Sequence, residues 1–262
     1  MSRRITKISK DSINIYIEKN LNDFYRKASK HPNFTSNIDD KINWVFSKFA
    51  DWPSCIFKAN LEGSNLDHEI QNIIKRIEKN KVPNGWTIGP LTKPHNLGGI
   101  LKKYGFLDGY HQSGMALNLT DLRFNTPDIR SFNIKIVNNN KLLEQWSETV
   151  SLVFKIKVDL DLLKYLITEK ETSLYLGTYG DETVSTLMLY LSSGVAGLHA
   201  VTTKPQYRGR GFALRISGIA LGDAFNKGYK VAVLQASSLG EKIYRKLGFQ
   251  KYCDIISYEY PS

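Results

Sequence analysis

The stretch Val201-Thr202-Thr203-Lys204-Pro205-Gln206-Tyr207-Arg208-Gly209-Arg210-Gly211-Phe212-Ala213 decides the fold. It stands between a strand-like run and a long amphipathic helix. Two glycines and two arginines fall in the turn that opens the helix. Glycine accepts φ > 0 and lets a ligand come close to the backbone. Free N–H groups at a helix start, aided by the macrodipole and guanidinium groups, form an anion-binding concavity. Pro205 fixes φ at the loop entrance and removes one N–H. The turn is suited to a phosphate group. Neither G-x-x-x-x-G-K-[ST] nor G-x-G-x-x-G with a following acidic residue occurs here, so the common nucleotide motifs are excluded.

The flanks support an α/β sheet. Thr186–Thr202 is β-branched and apolar, broken at Ser192-Ser193-Gly194 as a hairpin would be. After the loop, Phe212, Ile216, Ile219, Ala220 and Ala224 recur at helical spacing, and Gly228 follows Lys227 as a stop. Val231–Leu234 has the continuous apolar character of a strand buried on both faces. A second helix runs through Lys246 to Gly248, and Asp254–Tyr260 returns as a strand. The glycine loop then lies at the carboxyl end of a strand, where such sheets bind ligands.

The loop resembles the Q/R-x-x-G-x-G/A motif of the GNAT superfamily of N-acetyltransferases, with Gln206, Gly209 and Gly211 at its defined positions. Leu234-Gln235-Ala236-Ser237-Ser238-Leu239-Gly240, leading into Ile243-Tyr244-Arg245-Lys246-Leu247-Gly248-Phe249, is similar to the family's second motif, which ends in Y-x-K-L-G-F. The resemblance covers roughly 132–262. It implies acetyl-CoA as acyl-donor substrate and no metal. The implied cofactor contacts are His199, Val201, Thr202, Thr203, Gln206, Tyr207, Arg208, Gly209, Arg210, Gly211, Phe212, Ala213, Ser237 and Tyr244. Tyr244 occupies the general-acid position near the CoA sulfur. The general base is open. Many relatives carry a glutamate on the strand before the loop, but Gly194-Val195-Ala196-Gly197-Leu198-His199 has no carboxylate there. His199, Glu148 on the acceptor-side helix, a water chain and an amine that arrives neutral are the alternatives.

A shift of 143 positions lays Lys103-Tyr104-Gly105-Phe106 over Lys246-Leu247-Gly248-Phe249 and Ile100 over Ile243. Ser54–Leu61 reads as a strand, Leu66–Lys79 as an amphipathic helix and Trp86–Gly89 as a further strand. The order strand, helix, strand, helix, Gly-Phe thus occurs twice. In the first copy Asn60-Leu61-Glu62-Gly63-Ser64-Asn65 replaces the phosphate turn, and Leu101 stands where the second has Tyr244. The expected architecture is a tandem GNAT protein of α/β (α+β) class, each unit a mixed, mainly antiparallel sheet flanked by helices. A degenerate unit without cofactor loop is expected over 1–125 and a catalytic unit over 132–262. The polar, proline-containing segment Thr120–Asn133 serves as linker, and Asn138–Lys141 opens a helix over Leu142–Val150.

Composition narrows the function. The 262 residues are 42% hydrophobic, enough for a sizeable core. Met1–Ile15 shows no secretory pattern, and no run approaches a membrane span. Cys55 and Cys253 suggest neither a disulfide framework nor a metal site, and the five histidines lack metal-ligand spacing. A cytoplasmic protein is expected. The net charge is +11, with 20 Lys and Arg against 13 Asp and Glu through Ser131. The excess is therefore dispersed, which favours a solvated basic surface over a nucleic-acid partner. The expected reaction is acetyl transfer from acetyl-CoA to a primary amine, on a small molecule or a protein, by direct attack in a ternary complex. The alternative is a non-catalytic acyl-CoA-binding or regulatory protein. Whether the chain is a monomer or a homodimer is left open.

Overall fold

The computed structural model describes residues 4–63, 65–122 and 128–261. The first half supplies α1 (Ile13–Ala28), β1 (Thr35–Asn37), β2 (Ile42–Phe46), β3 (Cys55–Ala59), α2 (Leu66–Ile77), β4 (Gly85–Ile88), α3 (Leu97–Lys103) and β5 (Leu107–Asn118). The second supplies β6 (Phe132–Ile136), α4 (Asn140–Phe154), α5 (Leu160–Ile167), β7 (Thr172–Tyr179), β8 (Glu182–Ser192), β9 (Val195–Thr203), α6 (Phe212–Asn226), β10 (Val231–Ala236), α7 (Ser238–Leu247) and β11 (Gln250–Glu259). Strand, helix, strand, helix, strand occurs as β3-α2-β4-α3-β5 and again as β9-α6-β10-α7-β11.

Local chemistry sets the boundaries. The β8–β9 hairpin turns through Ser193 (φ 49°) and Gly194 (φ 79°), the left-handed pair that a two-residue hairpin requires. Asn139 caps α4 by accepting from the Leu142 N–H. Ser237 caps α7 by accepting from the Gly240 N–H at 3.2 Å, and Gly248 ends that helix at φ 102°. The buried stripe of α6 is Phe212, Ile216, Ala220, Leu221 and Ala224; Ile219 lies at its margin, 36% exposed. Of the linker segment, residues 123–127 lie outside the described residues, while Phe132 and Asn133 already belong to β6.

Among the described residues, eleven strands form one mixed, mainly antiparallel sheet in the order β1-β2-β3-β4-β11-β5-β10-β9-β8-β7-β6. The halves interlock at its centre. The first-half strand β5 pairs with β10 from Val231↔Asn118 to Ala236↔Ser113. The last strand, β11, lies between β5 and β4, both from the first half. Side chains alternate across the sheet with period 2. Leu187, Leu189 and Leu191 of β8 join a core with α6 and α7. Met188 and Tyr190 join another with α1, α4 and α5, built around Phe24, Trp146, Leu162 and Leu166. α1 therefore lies on the face opposite α6, in contact with strands from β2 to β11.

Candidate active site

The site begins where two parallel strands part. β9 and β10 pair at Ala232↔Ala196, Val233↔Gly197 and Leu234↔Leu198, and the ladder stops there. Two steps of β8, from Met188 to Thr186, face three of β9, from His199 to Thr202, and Ala200 sits at φ 46°. This extra residue is a bulge, which bends a strand away from its neighbour. Beyond Leu198 the edge of β9 turned toward β10 has no ladder partner among the described residues. Thr202 is held from the β8 side: its carbonyl accepts from Ser185 Oγ at 2.6 Å, and its hydroxyl lies 2.6 Å from Thr186 Oγ1. Val201 packs against the α6–α7 core.

At the mouth of this gap lies the glycine loop. Pro205–Tyr207 make one tight turn, and Gly209 (φ 80°) and Gly211 (φ 85°) are both left-handed. Arg215 is the first residue of α6 to bond back, its N–H meeting the Gly211 carbonyl at 2.9 Å. The N–H groups of Phe212, Ala213 and Leu214 therefore have no helical partner, as at any helix start. A Cβ on Gly209 would meet no protein atom within 4 Å, so the space over the loop is open. This backbone nest fits a pyrophosphate. Gln206, Arg208 and Arg210 are exposed around it. Arg208 Nε donates to the Thr203 carbonyl at 3.3 Å, and Arg210 stacks on Tyr207 and Tyr179, 5.2 and 5.9 Å from the ring centroids. Tyr207 donates its hydroxyl to Glu182 at 2.6 Å, and Lys204 pairs with the same carboxylate at 3.1 Å. The two together hold Glu182 below the usual carboxylate range. Phe212 is buried against Phe132, Tyr179 and Tyr207 of the loop, so its backbone N–H is what it offers to a ligand.

On the other side of the gap stands α7. Ser237 caps it, and Tyr244 lies in its second turn, 8% exposed, edge-on to Phe249 at 5.8 Å. Burial pushes the Tyr244 hydroxyl well above the usual tyrosine range, so it carries its proton throughout the physiological range. Gly240 leaves room for the ring: a Cβ there would lie 3.2 Å from Tyr244 Cε2. Glu241, one turn from Tyr244, accepts from Ser113 Oγ at 2.6 Å and from Arg245 at 2.6 and 2.8 Å. Ser113 belongs to β5, so the first half reaches the wall of the second half's site. No sequence signal marks Ser113.

His199 is tied down on the α1 face. Its Nε2 lies 2.8 Å from Asn20 Oδ1, and its ring stacks on Phe24 at 5.8 Å. The Asn20 amide nitrogen donates to the Tyr190 carbonyl and to Ser192 Oγ, which leaves Oδ1 as acceptor for an Nε2–H. Gly197 is required beneath it, since a Cβ would run into Asn20 Oδ1. Burial pulls the imidazole down to about 4, so the ring is neutral at pH 7. Asn20 carries no local sequence signal, because its partner is 179 positions away. Glu148 stands apart, exposed on α4. With Gln145, Thr149, Leu152, Asp181, Glu182, Thr183 and Lys204 it lines an open concavity of about 420 Å³. Lys204 is five residues beyond His199, about 16 Å of extended chain.

The first half has a corresponding gap, and its own chain fills it. Among the described residues β3 and β4 pair only at Ile56↔Trp86. Lys93 then inserts, its N–H bonding the Ala59 carbonyl at 2.9 Å and its carbonyl accepting from the Leu61 N–H at 2.9 Å. Among the described residues no group of three or more His, Cys, Asp or Glu is placed to hold a metal ion, and no helix is long and apolar enough to cross a membrane.

Residues 134–252 match the family model described as an acetyltransferase (GNAT) domain. No curated protein matches the sequence. Solved structures do. A GCN5-related N-acetyltransferase from Kribbella flavida superposes with a TM-score of 0.71 at 14% identity, covering 95% of this chain and 96% of its own. One from Sphaerobacter thermophilus gives 0.60 at 13%, covering 98% and 94%. A tandem GNAT protein from the clavulanic acid biosynthesis pathway gives 0.58 at 8%, covering 98% of each chain. At these identities the likeness is one of fold. The parted strands and the glycine loop both lie within residues 134–252, the part of the chain that is similar to the acetyltransferase (GNAT) domain model.

Proposed function

We propose that this protein is an acetyl-CoA-dependent N-acetyltransferase that delivers an acetyl group to a primary amine, on a small molecule or a protein, within a ternary complex. The observation that carries the reading is the gap opening after Leu198 and Leu234, with the N–H nest of the glycine loop at its mouth. Bound acetyl-CoA supplies the thioester carbonyl that the amine nitrogen attacks, with the CoA thiolate as leaving group. The chain's residues position and shuttle protons. Gly209, Gly211 and the first N–H groups of α6 hold the pyrophosphate, and Arg210 reaches it on leaving the tyrosine rings. The free edge of β9, from His199 to Thr203, aligns the pantetheine arm and offers backbone donors to the carbonyl oxygen. Tyr244 keeps its proton at neutral pH and donates it to the departing thiolate, and the proton shed by the attacking nitrogen returns to the tyrosinate through water. His199 is neutral, and its Nε2–H is engaged with Asn20, so it orients rather than carries charge. The filled gap of the first half leaves one donor site per chain.

Thiol release across a panel of amines tests this reading. Tyr244→Phe is expected to lower kcat by roughly 10²-fold with acetyl-CoA affinity little changed. An unchanged kcat removes Tyr244 from the chemistry. The engagement of His199 with Asn20, together with the absence of a carboxylate on β9, favours a second reading: a non-catalytic acyl-CoA-binding or regulatory protein. Acetyl-CoA binding with no amine-dependent thiol release would select it.

A further inference from the structure

The concavity beside the cofactor loop has a composition that the acetyl-transfer chemistry does not use. Glu148 comes from α4, Asp181 from the β7–β8 turn and Glu182 from the first position of β8: three carboxylates against the single ammonium of Lys204, in a chain with a net charge of +11. Thr183, within the same lining, is 7% exposed, and its Oγ1 is buried with no hydrogen-bond partner. Its orientation is built in. The β7–β8 register slips between Gly177 and Thr178, adding one residue to β8 between Ser185 and Thr183, and such a bulge re-aims the side chain that follows. Thr183 thus joins Gln145, Glu148 and Thr149 of α4 rather than the α6 face. A buried hydroxyl left without a partner costs stability, so it points to a ligand. Leu152, 58% exposed, adds an apolar strip to the same lining.

We propose that this concavity binds a small aliphatic diammonium ion, with its charged ends on the carboxylates and Thr183 Oγ1 and its methylenes along Leu152. No set of His, Cys, Asp or Glu among the described residues is gathered closely enough for a metal ion, whereas a volume of about 420 Å³ suits a small organic molecule. Glu182 links this site to the cofactor loop, because it also holds Lys204 and the Tyr207 hydroxyl. A cation that engages Glu182 frees Lys204 toward the pyrophosphate nest. Diammonium binding and acetyl-CoA binding then strengthen each other by the same factor, as linkage requires.

The test is calorimetric titration of the full chain with 1,4-diaminobutane at low ionic strength, without acetyl-CoA, with butylamine as the singly charged control. One saturable site is expected, with butylamine weaker. Asp181 makes no hydrogen bond or ion pair among the described residues, so Asp181→Asn leaves the fold untouched and weakens the diamine by about tenfold; Thr183→Val does the same. Absence of a saturable isotherm overturns the proposal, and so does affinity indifferent to both variants. Repeating the titration with acetyl-CoA present tests the linkage, which rests on the proposed donor site; unchanged affinity overturns the coupling. Failure of acetyl-CoA itself to bind would sink the donor site and leave the diamine isotherm standing.

Discussion

Two buried ionisable residues on or beside α1 pull the stability of this protein in opposite directions with pH. His199 titrates near 6.5 in an unfolded chain but only at about 4 in the fold. Between these values the unfolded state binds more protons, so stability falls as pH drops through that window. Glu18 is 2% exposed and accepts from the Leu91 N–H at 2.5 Å, and burial raises its carboxyl from 4.5 to about 7. There the folded state binds more protons, so stability falls as pH rises from 4.5 to 7. Each shift corresponds to roughly 3–4 kcal/mol at most, from roughly 1.4 kcal/mol per unit. In the parent the two slopes offset each other between pH 4.5 and 6.5. Denaturant melts across that range are expected to show stability rising with pH in Glu18→Gln and falling in His199→Gln; slopes of the same sign in both variants would contradict the assignment. At this scale the sequence is readable where one residue's own backbone decides: Gly209 and Gly211 both take the left-handed φ that glycine alone adopts without strain. His199 was visible as the one titratable group near the end of its strand, but its low pKa was not, because the desolvating wall of Phe24 and Asn20 is contributed by a distant helix.

Elements were legible where their signals are local. The Ser193-Gly194 turn, the Asn139 cap and the Gly248 stop all stand where the sequence suggests, since each is a matter of φ or of one short-range hydrogen bond. α1 was missed. Its apolar stripe, Ile13, Ile17, Leu21, Phe24 and Ala28, is interrupted by Glu18, Asn20 and Asn22, which are buried as well. A helix that buries polar residues to meet partners on another element lacks the plain amphipathic pattern. α7 offers a direct check. Ser237→Ala removes the acceptor for the Gly240 N–H and is expected to cost about 1 kcal/mol of stability in a denaturant melt, recovered by Ser237→Asp. A melt indistinguishable from the parent would show that the cap contributes nothing.

The whole molecule is held by strand exchange between its halves. Repetition of strand, helix, strand, helix could be read from Lys103–Phe106 and Lys246–Phe249, but the pairing of β5 with β10 and of β11 with β4 could not. Such pairing is set by which edges meet, not by any local pattern. The exchange has a cost for separation. A fragment of residues 128–261 lacks β5, leaving β10 and β11 without the strand between them and exposing the face that Met115, Ala116 and Leu117 cover. That fragment is expected to be insoluble or unfolded by circular dichroism, and co-expression with residues 1–122 to restore it. A cooperatively folded isolated fragment would contradict the interlocked account. The central claim concerns the donor site, and calorimetric titration with acetyl-CoA tests it most directly. The account predicts one site per chain, abolished by Gly211→Trp in a protein that still melts cooperatively. No binding by the parent, two sites per chain, or unchanged affinity in Gly211→Trp would contradict it.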